Sequence, residues 1–303
     1  MRSLILGTRG SPLALVQARK VSELLKKKEK SKIEIKTIKT RGDLNRKIPL
    51  GEPGTIGLFT KELDNAILSR EIDFAVHSLK DVPTSTPKDL ILASVPERIS
   101  HFDCLISKGK ELLQLPAGAR IGTSSIRRKA ELLHLRPDLG FSPLRGNLET
   151  RIAKAKDFDG IIIAEAGLLR LKPSIPRELS ITRLTPDSIM PCPGQGALAV
   201  VCLKEDMSLR EILTQIQDQK ARAAIEAERA LLKMCGYGCA VPVGAIATLK
   251  EKKLKLKAAI TAPDGKKSIR MEQTGSPDDA IHLGETLAER LLGEGQEILA
   301  RCV

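Results

Sequence analysis

One cysteine sits where a thiol can do chemistry. In Met234-Cys235-Gly236-Tyr237-Gly238-Cys239-Ala240-Val241-Pro242-Val243-Gly244, glycines and a proline bracket Cys239 and no helical period surrounds it. The pattern predicts an exposed loop leading into a strand, with Gly238 clearing space beside the thiol. A thiol there reaches a ligand, whereas a buried cysteine is a small apolar filler. Three readings compete. As metal ligands, Cys235 and Cys239 are a lone pair at an unusual spacing, with no second pair, so zinc is disfavoured. As a bystander, Cys239 asks nothing of the rest of the chain. As a functional thiol, it needs charged partners converging from elsewhere.

The positions of several charged residues supply such a set. Leu4-Ile5-Leu6 reads as a buried strand and Gly7-Thr8-Arg9-Gly10 as a turn. Ser11-Pro12 fits the N-cap and first position of a helix over residues 13–28, with lysines at its C-terminal end. Arg9 and Ser11 then stand where backbone N–H groups converge and favour anions. Arg9 as a simple turn cap is the competing reading. Residues 33–38 alternate as a second strand, and a Gly/Pro-rich loop from Pro49 to Gly57 reads as a mobile lid. A helix over 58–69 and a strand over 72–78 lead to Lys80-Asp81. A lysine beside a carboxylate after a buried strand suits acid–base work, or is a surface pair worth little.

A second unit repeats the first. Arg120-Ile121-Gly122-Thr123-Ser124-Ser125 is strand and turn, and a helix over 126–135 carries Arg127 and Arg128 in its first turn. Arginine there opposes the macrodipole, which makes sense when an anion lies between the guanidinium groups and the N–H groups. Gly7-Thr8 and Gly122-Thr123 head matching strand–turn–helix units, so two similar α/β lobes are expected. Arg145 precedes another helix and Arg151 lies within it. The apolar run 160–164 reads as a buried strand of a parallel sheet leading to Arg170. Pro191 to Ala197 is a glycine-opened crossing into a strand over 198–202 that returns to the first lobe. A helix over 221–232, strands over 243–248 and 254–261, a Pro263-Asp264-Gly265 hairpin turn and a last helix over 278–292 form a small α+β end. Arginine forks pair with carboxylates through two parallel bonds. So many at strand ends imply a cleft for a ligand bearing several carboxylates, with Asp81 and one accessible thiol. The reaction does not follow from these residues alone.

Composition bounds the alternatives. The chain has 303 residues and a net charge of +13, which favours anionic partners. Nucleic acid is disfavoured: there are five Phe, one Tyr and no Trp to stack bases, and no reading helix or basic arm is evident. No stretch spans a membrane and no secretory signal is read at the start, so the six cysteines are expected reduced, in the cytoplasm.

The motifs together resemble the hydroxymethylbilane synthases, also called porphobilinogen deaminases, over nearly the full length. They are Gly7-Thr8-Arg9-Gly10-Ser11-Pro12-Leu13-Ala14-Leu15, Thr40-Arg41-Gly42-Asp43, Gly57-Leu58-Phe59-Thr60-Lys61-Glu62-Leu63 and Ala75-Val76-His77-Ser78-Leu79-Lys80-Asp81-Val82-Pro83. Gly122-Thr123-Ser124-Ser125-Ile126-Arg127-Arg128, Leu144-Arg145-Gly146-Asn147, Gly194-Gln195-Gly196-Ala197 and Gly238-Cys239-Ala240-Val241-Pro242-Val243-Gly244 follow in order.

The resemblance implies an α/β fold of two lobes like those of periplasmic binding proteins plus a small α+β C-terminal domain. Residues 1–96 with 197–214 would form the first lobe, 97–196 the second and 215–303 the third domain. It implies a dipyrromethane cofactor held by Cys239 through a thioether, with Cys235 the alternative thiol. Porphobilinogen and the growing polypyrrole would be the ligands, and ammonia and a linear tetrapyrrole the products. Asp81 would be the catalytic carboxylate, handling pyrrole N–H protons and the positive charge of the azafulvene. Arg127, Arg128, Ser78, Lys80, Asp81, Thr123, Ser125 and Gly146 would hold the cofactor. Arg9, Ser11, Phe59, Arg145, Arg151, Arg170 and Gln195 would hold substrate. No metal, nucleic acid or membrane is implied, and the protein would be a monomer. Glu52 and Ile56 stand where the family often has lysines, and Tyr237 where it often has glycine. A solute receptor on the same fold is the runner-up; it would need neither Asp81 nor the thiol.

Overall fold

A computed structural model describes residues 3–28, 32–44, 57–236 and 242–299. Cys239 and Tyr237 lie outside the described residues, as do Glu52, Ile56 and nearly all of the loop read as a lid.

The first sheet begins with β1 (Ser3–Thr8), followed by α1 (Pro12–Lys28) and β2 (Lys32–Thr37). Next come α2 (Arg41–Leu44), α3 (Lys61–Leu68), β3 (Phe74–Ser78) and β4 (Leu90–Ser94). The second sheet takes β5 (Asp103–Ser107), β6 (Arg120–Gly122), α4 (Ile126–Leu135) and β7 (Gly140–Ser142). It is completed by α5 (Leu148–Ala153), β8 (Gly160–Ala164), α6 (Glu165–Leu171) and β9 (Ser180–Leu184). The chain then returns through β10 (Leu198–Leu203) and α7 (Met207–Thr214) to α8 (Gln219–Met234). A three-stranded sheet of β11 (Val243–Lys250), β12 (Lys253–Thr261) and β13 (Ser268–Gly275) follows, with α9 (Ala280–Glu294) and α10 (Gln296–Leu299).

The two five-stranded sheets have one topology. The first runs β2-β1-β3-β10-β4 and the second β7-β6-β8-β5-β9. In each, three strands are parallel and the fourth position is taken by an antiparallel strand. That intruding strand, β10 or β5, is the one that enters from the other lobe. So β8 is parallel to β6 but antiparallel to β5, not a member of the purely parallel sheet its apolar run suggests. The α/β expectation of two matching lobes and a small third unit holds.

Strand alternation sets the cores. Phe74 and Val76 of β3 face one way, with Leu4, Leu6, Ala18 and Val21. Ala75 faces the other, with Leu63, Ile67, Ala199 and Ile225. Ile225 belongs to α8, so that helix contributes to the first lobe's core while Ala224, Ala227 and Leu231 pack into the C-terminal core. Capping fixes the helix starts: the side chains of Ser125, Asn147, Asp206 and Asp218 accept backbone N–H bonds from the first turns of α4, α5, α7 and α8. The helix read from residue 58 begins later, at Lys61, because Gly57 has φ +74° and opens a turn that occupies the intervening positions.

Candidate functional site

Loops at the ends of β1, β3 and β8 and the starts of α1, α4 and α5 face one another across a cleft of about 620 Å³ between the lobes. The first lobe contributes Arg9, Ser11, Lys39, Asp43, Phe59, Ser78, Lys80 and Asp81. The second contributes Arg128, Arg145, Gly146, Asn147, Glu149 and Arg151. Cationic side chains outnumber carboxylates in this lining.

Arg9 is fixed from two sides. Its Nη2 donates to Asp43 Oδ1 at 2.5 Å and its Nε to Oδ2 at 3.3 Å, while its guanidinium stacks 4.2 Å from the Phe59 ring centroid. Burial pushes the Asp43 carboxyl up, but bonds from Arg9 and Thr40 outweigh it and hold the group below its ordinary value. Ser11 caps α1 by accepting from Ala14 N at 3.3 Å, and Gln17 Nε2 donates to Ser78 Oγ at 2.8 Å. Lys80 and Asp81 occupy a short helical turn directly after β3, so both project from a strand end held between β1 and β10. Burial lowers the Lys80 pKa and the Asp81 charge opposes that shift.

Arg151 Nε donates to Gly146 O at 2.9 Å. Gly146 has φ +117°, in the region only glycine enters easily, and that conformation turns its carbonyl toward the arginine. Burial and the nearby Arg128 lower the Arg151 pKa, with Asp81 acting against them. A guanidinium pressed down by burial and a like charge is stabilised by an arriving anion.

Several residues expected at the cleft stand elsewhere. Arg127 does not line it: Nη2 donates to Asp103 Oδ2 at 2.7 Å and Nη1 to Met190 O at 2.5 Å. The anion that the first-turn arginines of α4 imply is thus a side chain of this protein, Asp103. Arg128 shares it, through Nη2 at 2.6 Å and Nε at 3.2 Å, but also lines the cleft. Burial raises the Asp103 pKa, yet the two arginines more than reverse this and leave it far below the carboxylate range. Arg170 donates to Gly196 O at 2.7 Å, at the crossing between lobes. Gln195 is 1% exposed and is bonded within the protein. Ser125 caps α4, and Thr123 Oγ1 accepts from Ser125 N at 3.2 Å. Neither lines the cleft.

Asp103, Asn147 and Lys39 were not legible as site residues. Asp103 alone left a signal: an acid inside the apolar run Phe102-Asp103-Cys104-Leu105-Ile106 demands a buried partner. Cys104, Cys202 and Cys235 are buried, and burial pushes them up to about 12, 11 and 11. They are poor nucleophiles near neutrality. Among the described residues no cluster of His, Cys, Asp and Glu could hold a metal ion, and no helix is long and apolar enough to cross a membrane.

Residues 4–211 match the family model described as porphobilinogen deaminase, dipyromethane cofactor binding domain, and residues 222–293 match the porphobilinogen deaminase C-terminal domain. The porphobilinogen deaminase of Thermus thermophilus is 45% identical, with 99% of each chain covered. That of Desulforamulus reducens is 44% identical over 96% of this chain and 95% of the relative. Among solved structures, the methionine binding protein MetQ is similar at 12% identity and a TM-score of 0.43, covering 78% of this chain and 95% of that one. With both family models matched in order and relatives aligned almost end to end, the chain belongs to the porphobilinogen deaminase family.

Proposed function

We propose that the cleft between the lobes is where this chain performs the hydroxymethylbilane synthase reaction of its family. Porphobilinogens condense stepwise onto a covalently held dipyrromethane, each losing ammonia, and water then releases the linear tetrapyrrole. One observation carries the assignment to this cleft: the Asp81 carboxylate stands at a strand end among Arg9, Lys80, Arg128, Arg145 and Arg151, while Asp43 in the same lining is already paired with Arg9. Every pyrrole of the ligand bears an acetate and a propionate, so the lining fits both cofactor and substrate by charge. When bound, the dipyrromethane supplies the free pyrrole carbon on which the chain is extended.

The protein's own groups have distinct tasks in this reading. Arg128, Arg145, Arg151, Lys80, Ser78 and Gly146 hold carboxylates and ring N–H groups of the cofactor and growing chain. Arg9 and Ser11 receive the incoming porphobilinogen beside Phe59. Asp81 accepts the pyrrole N–H, offsets positive charge as the C–N bond breaks and ammonia leaves, and assists loss of the ring proton after the C–C bond forms. Cys239 is the attachment thiol; the burial of Cys235 supports that choice. The three sheets correspond to three domains, with boundaries near 96, 197 and 215. The protein works as a monomer in the cytoplasm.

Asp81→Asn keeps the side-chain size and removes charge and basicity. It is expected to fold and to release ammonia about 100-fold more slowly in a single turnover. Asp81→Glu retains part of the activity. Wild-type release by Asp81→Asn would remove Asp81, and this cleft, from the chemistry. Intact mass and peptide mapping test the attachment separately: an adduct of two linked pyrroles on Cys239, absent from Cys239→Ala.

A further inference from the structure

Beneath the cleft lies a buried carboxylate to which no role has been given. Asp103, the first residue of β5, has a fully buried side chain. Its Oδ2 accepts from Arg127. Its Oδ1 accepts from Arg128 Nη2 at 2.6 Å, Arg128 Nε at 3.2 Å and Gln195 Nε2 at 2.9 Å. Gln195 Nε2 also donates to His101 O at 2.9 Å. Two acceptors on that nitrogen fix the amide's orientation, so Oε1 must point the other way. There it meets the Lys80 ammonium at 3.3 Å.

We infer that Asp103 is a positioning residue for the reaction: its carboxylate sets Arg128 on one wall of the cleft and, through Gln195, Lys80 on the other. Three features support this. Arg128 is held at Nε and Nη2 by Asp103 and at Nη1 by Ile162 O at 2.9 Å, so its side chain has one available pose. One carboxylate facing two guanidinium groups leaves the trio net positive, and Arg128 is the member that lines the cleft. And β5 is the strand that enters the second lobe from the first, while Gln195 stands on the returning crossing. The carboxylate therefore ties together the two segments on which the lobes' relative placement depends.

The inference rests on the reading of the cleft as the reaction site, and the test separates the two. Asp103→Asn and Gln195→Met are compared with wild type, alone and combined. Each single variant is expected to lower kcat/KM by about 10- to 100-fold, as displacement of positioned groups does. The double variant should be little worse than the poorer single, because both act along one chain of contacts. A second readout needs no turnover: the rate of lysine acylation at Lys80 against pH, read by peptide mass. The titratable and charged groups facing Lys80 are Asp81, Arg128, Cys192 and Asp103, of which burial keeps Cys192 a neutral thiol near neutral pH. Removing the Asp103 charge disfavours the ammonium, so Lys80 should acylate several-fold faster near neutral pH in Asp103→Asn. Gln195→Met keeps the Asp103 charge and tests the contact itself should Asp103→Asn not fold. Wild-type kcat/KM in Gln195→Met, or an unchanged Lys80 profile in a folded Asp103→Asn, overturns the inference. If Asp81→Asn is inactive while these variants are normal, only the positioning role fails. If Asp81→Asn is fully active, the site reading fails first.

Discussion

Arginines of one type and similar sequence context have different fates here, and the difference is in what each guanidinium already touches. Arg127 has a buried carboxylate and a backbone carbonyl; Arg151 has one carbonyl and lines the cleft. Arg127→Leu strips Asp103 of a partner while its charge stays buried, and should cost about 3–5 kcal/mol in denaturant unfolding. Arg151→Leu should change stability by about 1 kcal/mol or less. It should instead shift which covalent intermediates accumulate, read by intact mass. The reverse pattern would show that the assignments are exchanged. His77 makes a separate prediction. Burial, with Arg9 adding to it, pushes its imidazole down to about 4 from the ordinary 6.5. The folded protein therefore resists a proton that the unfolded chain accepts. Stability from this group is complete above about pH 6.5, falls as pH drops toward 4 and is level below, a total of about 3 kcal/mol. In His77→Gln that component should vanish, so the stability gap between wild type and variant changes by this amount between pH 7 and 4. Parallel profiles would contradict the burial of a neutral imidazole. The kinds of residue at the site were legible in the sequence because strand ends and helix starts gather anion-binding groups. The partners were not: nothing local to Arg127 and Arg128 points to an acid earlier in the chain and in another strand.

At the scale of elements, the long periodic segments were readable, and of the short ones those marked by an apolar run or a following glycine turn, such as β1, β6 and β8. The helices at Pro12–Lys28, Ile126–Leu135 and Gln219–Met234 carry caps and apolar stripes that specify them locally. β7 and β9, which were not legible, are edge strands without complete burial, and β7 has three residues, too few to show a period. The antiparallel intruder in each sheet is a property of connectivity, not of composition, so an apolar run alone suggested a parallel strand. The two crossings that create this topology depend on one close approach. Gly196 has φ +85°, and an added Cβ would overlap the Ser100 backbone oxygen on the opposite crossing. Gly196→Ala should therefore cost more than about 2 kcal/mol, from strain and clash together. Gly293→Ala, in α9 with open space around the new methyl, should be neutral or stabilising by about 0.5–1 kcal/mol. Equal effects of the two in thermal unfolding would mean the crossings tolerate separation.

For the whole molecule the decisive group is Glu228, on the helix that both the first lobe and the C-terminal sheet pack against. Its carboxylate is fully buried and serves three segments. Arg98, on the outgoing crossing, donates to Oε1 at 2.6 Å and Oε2 at 3.3 Å, and also to Gln195 O at 2.8 Å. Gly194 N, on the returning crossing, donates to Oε2 at 2.7 Å, and Ala247 N of β11 to Oε1 at 2.8 Å. One side chain thus joins both connections between the lobes to the unit that follows them. Further bonds from Arg229 to the carbonyls of Val82 and Pro83, and from Arg270 to Glu131, attach that unit to each lobe. Glu228→Gln replaces an acceptor-only group by an amide. One oxygen still accepts, but the new NH₂ faces a donor, and Arg98 loses its counter-charge where its side chain is 10% exposed. The cost should be at least about 3 kcal/mol. Arg98→Met should be costly too, and the double variant should fall well short of the sum because the two share one interaction. It should not recover wild-type stability, since Gly194 and Ala247 keep N–H groups that need an acceptor. Calorimetry reads the consequence for cooperativity. With the node intact the lobes and the C-terminal unit are expected to melt together; in Glu228→Gln the C-terminal unit should separate into its own transition. A single transition within about 2 °C of wild type would show that the apolar contacts of α8 alone join the three parts, and that the buried carboxylate is dispensable.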